Sequence, residues 1–276
     1  MLDMDNIVLH RNNVHVTGEG NKAIIFAHGF GCAQELWRLI VPAFESDYKV
    51  ILFDYTGSGN SDKSFYEQRK YNSLNGYTQD LLDVIKALKL DNVIFIGHSV
   101  STIIGALAAI AHPSYFSKLV MVCPSPCYLN DEHYRGGFER DEIDALLHTM
   151  ENHYLDWAAY FAPKVMANGE RPELKEELKD SFCKNDPVIA NQFARVTFLS
   201  DNRNDLKALK TPTLILQCIN DVIAPVEVGQ YVHEQIEGST LRIMEASGHC
   251  PNLSAPEETI NLIKAYLQKD ANQEAA

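Results

Sequence analysis

The sequence predicts an α/β fold in which a mostly parallel sheet of eight strands is flanked by helices. Four further helices are inserted in the chain between two of the later strands. Two observations support this prediction. Short apolar runs, such as residues 93–96, alternate with helical stretches across the first half of the chain. Strands that are apolar on both faces and joined by helices form parallel sheets with helices on both sides. Between about residues 128 and 200 the strand signal stops, and four helical patterns follow.

The elements follow in a simple order. Residues 6–17 alternate weakly in hydrophobicity, which favours an N-terminal hairpin. Buried strands are expected at 23–27, 50–53, 93–96, 119–123, 214–218 and 241–244, and core helices at 74–90, 102–110, 226–236 and from 254 onward. We therefore expect a core formed by residues 1–126 and 201–276. Residues 127–200 are expected to form a helical lid.

Composition excludes several classes of function. Of the 276 residues, 46% are hydrophobic and 22% are charged, which is typical of a globular protein. The formal net charge is −13, and an acidic surface argues against nucleic acid or an anionic membrane as partner. We see no signal peptide and no apolar run long enough to span a membrane. The six scattered cysteines are typical of reduced thiols, so we expect a cytoplasmic protein.

The strand at 93–96 ends in a motif that carries chemistry. Gly97, Ser99 and Ser101 lie between that strand and the next helix, in the pattern Gly-x-Ser-x-Gly with serine at the last position. A sharp strand-to-helix turn of this type, a nucleophile elbow, exposes a serine hydroxyl at the edge of the sheet. The alternative is an ordinary strand, turn and helix with an incidental serine.

A serine nucleophile needs a base, and the base needs an orienting carboxylate. Asp221 follows one predicted strand and His249 follows the next, so both side chains belong at the edge that carries Ser99. The order Ser, Asp, His along the chain is the order found with an elbow of this kind. Asp54 also ends a strand, but it precedes the serine.

Two backbone amides are expected to form an oxyanion hole. One belongs to Val100, directly after the nucleophile, and the other to Phe30 in the loop after the first core strand. His98 adjoins the nucleophile and is a further candidate for contact with substrate. No metal-binding or nicotinamide-binding pattern is present, so we expect no metal and no cofactor.

Aromatic residues are dense in the predicted lid. Trp157, Phe161 and Phe198 lie on helical stripes there. Packing of helix on core is the simpler explanation for any one of them. Their number nevertheless suggests that some line an apolar pocket.

The chain resembles RsbQ-like α/β-hydrolases, bacterial enzymes of stress signalling, and more distantly the plant karrikin and strigolactone receptor hydrolases. The resemblance covers nearly the whole chain and is carried by residues 27–32, 51–59, 97–100, 123–131, 136–139, 216–221 and 245–251. It implies an α/β-hydrolase fold with a four-helix lid and a triad of Ser99, Asp221 and His249. It also implies a closed apolar pocket touched by Phe30, Phe138, Trp157 and Phe198.

Two functional hypotheses follow from these residues. The first is a serine hydrolase that acts on a small, largely apolar ester or lactone. The second is a signalling protein that hydrolyses slowly and, as the resemblance implies, activates a partner phosphatase of a stress pathway. The sequence does not separate an esterase from a lactonase or from a C–C hydrolase with the same triad. A catalytically dead fold is disfavoured, because every position of the triad is filled.

Overall fold

The computed structural model describes residues 3–274, so residues 1–2 and 275–276 of the predicted core lie outside it. A central sheet has the strand order β1-β3-β2-β4-β5-β6-β7. The strands are β1 (His15–Thr17), β2 (Lys22–Ala27), β3 (Tyr48–Leu52), β4 (Val93–His98), β5 (Phe116–Val122), β6 (Thr213–Asn220) and β7 (Thr240–Ser247). Strand β1 pairs antiparallel with β3, and every other pairing is parallel.

The mostly parallel α/β sheet is confirmed, but the predicted number of eight strands is wrong, since seven are found in the described residues. The error lies in the predicted hairpin at 6–17. Its first half is a helix, α1 (Met4–Arg11), and only β1 joins the sheet. The helix has almost no amphipathic pattern and buries no residue, so hydrophobic periodicity held too little signal to identify it.

Helices cover both faces of the sheet. Besides α1, the α-helices outside the insertion are α2 (Leu74–Ala87), α3 (Val100–Ala111), α8 (Val226–Gln235), α9 (Pro251–Ser254) and α10 (Pro256–Glu274). Strand β4 lies at the centre of the sheet, and all six of its residues are buried. Its apolar side chains are divided between two hydrophobic clusters, one on each face. The site-bearing end of β4 is therefore held from both sides.

Four helices lie between β5 and β6. They are α4 (Arg140–Asn152), α5 (Tyr154–Met166), α6 (Pro172–Cys183) and α7 (Pro187–Leu199). They form a third hydrophobic cluster that includes Trp157, Phe161 and Phe182, and Phe30 from the core packs against it. None of the helices in residues 3–274 combines the length and hydropathy of a membrane-spanning segment.

Candidate active site

Ser99 lies at the turn between β4 and α3, in a strained backbone conformation. Its φ of 55° and ψ of −124° are disfavoured for a residue with a side chain. The turn is tight: a Cβ on Gly97 would lie 2.7 Å from the Ser101 carbonyl carbon, so glycine is required there. The strain points the Ser99 side chain away from the chain path, as an elbow requires.

Ser101 replaces the last glycine of the motif and has a specific bonding role. Its Oγ donates to the His28 carbonyl at 2.5 Å and lies 3.0 Å from the Tyr55 hydroxyl. His28 begins the loop that contains Phe30. The serine therefore ties the elbow helix to the neighbouring loop, which a glycine would not do.

Three side chains predicted from different parts of the chain meet at the edge of the sheet. Ser99 Oγ lies 2.7 Å from His249 Nε2, and His249 Nδ1 lies 2.6 Å from Asp221 Oδ2. All three residues are buried. A buried carboxylate fixes the imidazole tautomer, leaving the other ring nitrogen free to accept a proton from the serine.

The loops that carry Asp221 and His249 are bonded to each other and to α5. Asp221 Oδ1 accepts the amides of Ile223 at 2.8 Å and Ala224 at 3.1 Å. The Gly248 amide donates to the Asn220 carbonyl at 2.8 Å. The His249 amide donates to the Val165 carbonyl, also at 2.8 Å. The orientation of the pair is thus set by main-chain bonds rather than by flexible side chains.

The His98 side chain is hydrogen-bonded to the main chain of His249. Its Nε2 lies 2.6 Å from the His249 carbonyl and, since a carbonyl only accepts, carries the proton. Burial, and then the neighbouring His249, lower the pKa of His98 to about 3, so the ring is neutral at ordinary pH. Its Nδ1 is buried and has no hydrogen-bond partner among the described residues.

The amides of Phe30 and Val100 are both available for an oxyanion. Neither donates a hydrogen bond within the described part of the chain. Val100 is the first residue of α3, where amides have no partner inside the helix. A tetrahedral intermediate needs free amide donors of this kind, and Phe30 lines the same cavity as Ser99.

A small cavity of ≈ 30 Å³ adjoins Ser99 and His249. Four of the predicted contact residues line it: Phe30, His98, Phe161 and Phe198. Phe138 and Trp157 are not among the lining residues. Instead, Phe138 packs against Phe198, with ring centroids 6.1 Å apart, and Trp157 packs against Phe30 at the same separation.

Two polar lining residues were not predicted from the sequence. The Tyr128 hydroxyl lies 3.3 Å from Ser99 Oγ, and burial raises the pKa of this tyrosine. Thr197 Oγ1 is buried and has no partner among residues 3–268. Tyr128 lies just beyond the carboxyl end of β5, so the rule that active residues follow strand ends identifies its position. No sequence signal identifies Thr197.

One group of side chains in the described residues has the spacing of a metal site: Cys123, Asp221 and His249. Its chemistry does not fit a resident metal. Burial and the adjacent Cys218 raise the pKa of the Cys123 thiol well above its ordinary value, whereas metals bind the thiolate. The other two members already bond to each other.

Comparison with known proteins agrees with this geometry. Residues 24–262 match the model of the alpha/beta hydrolase family. The chain is 38% identical to a probable esterase of Oryza sativa subsp. japonica, over 96% of this chain and 98% of that protein. It is 35% identical to a strigolactone esterase of Arabidopsis thaliana, over 95% and 98% of the two chains. A karrikin insensitive 2 receptor of Petunia hybrida is 36% identical, over 96% and 98%.

Among solved structures, a hydrolase from Oleispira antarctica superposes with a TM-score of 0.94. It is 42% identical, and the match covers 98% of this chain and 99% of that one. The residues matched by the family model, 24–262, include Ser99, Asp221, His249 and all four inserted helices. The chain belongs to the α/β-hydrolase family.

Proposed function

We propose that the protein is a serine hydrolase that cleaves a small, largely apolar ester or lactone. The observation that carries this proposal is the unbroken chain of contacts Ser99 Oγ–His249 Nε2, at 2.7 Å, and His249 Nδ1–Asp221 Oδ2, at 2.6 Å. Nucleophile, base and orienting acid are each within hydrogen-bond reach of the next. The named esterases among its relatives also favour ester chemistry.

The steps follow from the positions of these groups. His249 Nε2 takes the Ser99 proton as Oγ attacks the substrate carbonyl, and Asp221 stabilises the imidazolium that forms. The Phe30 and Val100 amides hold the oxyanion of the tetrahedral intermediate. His249 then gives its proton to the leaving alkoxide. Water, activated by the same histidine, hydrolyses the acyl-serine.

The cavity limits the substrate. Its lining is mainly aromatic and aliphatic. Its polar side chains are Ser99, His249, His98, Tyr128 and Thr197, and two thiols, Cys32 and Cys250, complete it. A volume of ≈ 30 Å³ has room for about one or two water molecules, so a substrate requires the lining to move. Residues 127–200 are the proposed lid, covering a core of residues 1–126 and 201–276. Motion of its helices is the natural route of entry.

The cysteines favour a cytoplasmic setting, which belongs to the same proposal. All six are free thiols, and five of them are buried. Proteins of oxidising compartments use cysteines as disulfides instead.

Turnover of para-nitrophenyl acetate tests the proposal. Wild type should give continuous turnover, and Ser99→Ala should lose at least about a thousandfold in kcat, because the nucleophile is absent. Ser117→Ala is the matched control, since its hydroxyl bonds main-chain carbonyls at Asn92 and Val93, away from the site. Equal activity of wild type and Ser99→Ala would refute the proposal.

A second candidate is perception of a small molecule, with slow hydrolysis and a partner phosphatase of a stress pathway. It is favoured by the relatives that carry the name of receptors. A perception protein should release one equivalent of nitrophenol in a burst and then stall as the acyl-enzyme. It should also capture a partner only when loaded with ligand. Steady turnover without capture of a partner protein favours a hydrolase with no signalling role.

A further inference from the structure

One inserted helix, α6, is bonded directly to the loop of the proposed oxyanion hole. The Gly31 carbonyl accepts two side-chain hydrogen bonds from this region, one from Ser181 Oγ at 3.1 Å and one from Asn185 Nδ2 at 2.9 Å. Gly31 directly follows Phe30, whose amide is one of the two donors of the proposed oxyanion hole. Ser181 lies in the last turn of α6 and Asn185 two residues beyond its end, so the two donors together hold the carbonyl in a defined direction.

The same contact is closely packed. Gly31 has a φ of +73°, and a Cβ at this position would lie 2.5 Å from the Phe182 ring of α6. Glycine is needed both for the backbone conformation and for the close approach of that ring. Phe182 also lies near Phe30, with ring centroids 6.3 Å apart. The loop and the helix therefore fit together as one unit when α6 is seated.

The position of α6 also separates the cavity from solvent. A cleft of ≈ 480 Å³ with a mixed polar and apolar lining lies outside it, bordered by Ser181, Asn185 and the loop near Asn60. Cys32 and Leu178 line both this cleft and the cavity at Ser99. They form a wall one residue thick between the two spaces. Displacement of α6 would open that wall and, in the same motion, release the Gly31 carbonyl.

We propose that Ser181 and Asn185 are positioning residues that complete the oxyanion hole only when α6 is seated. Their bonds fix the Gly31 carbonyl, which lies two peptide units after the Phe30 amide, and so hold that amide towards the substrate. Substrate enters from the cleft while α6 is displaced, and the second oxyanion donor is aligned when the helix returns. This inference rests on the proposed hydrolase function.

The exposed Arg38–Glu177 ion pair, at 2.6 Å, spans the same interface but lies in solvent. Exposed pairs of this kind contribute little. The two hydrogen bonds to Gly31 are therefore the part of the interface to test.

The experiment compares wild type with Ser181→Ala, Asn185→Ala and the double variant. Cys183→Ser, an exposed change on the same helix, is the matched control. We expect kcat for para-nitrophenyl acetate to fall about 10- to 100-fold in the double variant, with KM within about twofold, because a misdirected donor affects the transition state more than binding. Ser181→Thr keeps the hydroxyl and should restore most of the loss seen in Ser181→Ala.

Hydrogen–deuterium exchange provides a readout that does not need activity. The amides of residues 29–32 should exchange faster in the double variant than in wild type, while those of the sheet stay unchanged. Unchanged exchange in this loop would overturn the inference. So would faster exchange with unchanged kcat, or a change in KM alone. An inactive wild type refutes the hydrolase proposal instead, and the exchange data then still decide whether α6 holds the loop.

Discussion

Replacing Asp221 with asparagine keeps the shape of the site but reverses one hydrogen bond. Asp221 Oδ1 accepts the Ile223 and Ala224 amides, at 2.8 and 3.1 Å, so the oxygen of the new amide must stay there. Its NH₂ group then faces His249 Nδ1, 2.6 Å away in the wild type, and needs an acceptor. His249 must therefore carry its proton on Nε2.

That tautomer places a donor, not an acceptor, 2.7 Å from Ser99 Oγ. The serine then has no base. By analogy with other Ser-His-Asp triads, we expect kcat to fall about 10⁴-fold, or about 5.5 kcal/mol in the barrier. KM should change little, because Asp221 does not line the cavity. Stability should fall by only about 1 kcal/mol, since both main-chain bonds survive with a neutral acceptor.

Steady-state kinetics with para-nitrophenyl acetate, together with thermal unfolding, measure both effects. Asp91→Asn is the matched control, since that aspartate is exposed and remote from the site. An Asp221→Asn enzyme that keeps more than about a tenth of wild-type kcat would refute the reasoning on the tautomer.

Three further changes test individual atoms of the site. Tyr128→Phe removes the hydroxyl 3.3 Å from Ser99 Oγ and should lower kcat up to about tenfold. Ser99 should still be labelled by a fluorophosphonate in this variant, and an unchanged kcat would show that catalysis does not use the hydroxyl. His98 has a folded-state pKa of about 3, below its ordinary 6.5, so the unfolded chain binds the extra proton between these values and stability falls as pH falls. Between pH 7 and pH 5 the free energy of unfolding, measured with urea, should therefore fall by about 2 kcal/mol less in His98→Gln than in wild type. An equal fall in both proteins would contradict the lowered pKa of His98. Thr197→Val removes a buried hydroxyl without a described partner, so unfolding should become up to about 1–3 kcal/mol less favourable, and a lower melting temperature would contradict this.

The sequence predicted the parts of the fold that depend on strong local patterns. Residues 93–96 form a fully buried strand because every side chain is apolar, and Ser99 lies at its end as the motif requires. Asp221 and His249 could be placed near it because parallel strands bring their carboxyl ends to one edge. Rules of chain order and topology were sufficient for these three.

Other features depend on contacts that no local pattern encodes. The role of Ser101 depends on the His28 carbonyl, 73 residues away in the chain. Trp157 carries the same aromatic signal as Phe161, yet only Phe161 lines the cavity, because the packing of four helices decides which ring is innermost. The bonds from Ser181 and Asn185 to Gly31 are likewise invisible until α6 is placed against the loop.

Ser99 is the proposed nucleophile of this site, and covalent labelling tests it directly. Mass spectrometry of the protein, quenched with acid after brief exposure to para-nitrophenyl acetate, measures this directly. We expect one acetyl group per chain, located by peptide mapping on Ser99 and absent from Ser99→Ala. An acetyl group on another residue, such as Tyr128 or Cys250, or labelling that persists in Ser99→Ala, would show that Ser99 is not the nucleophile.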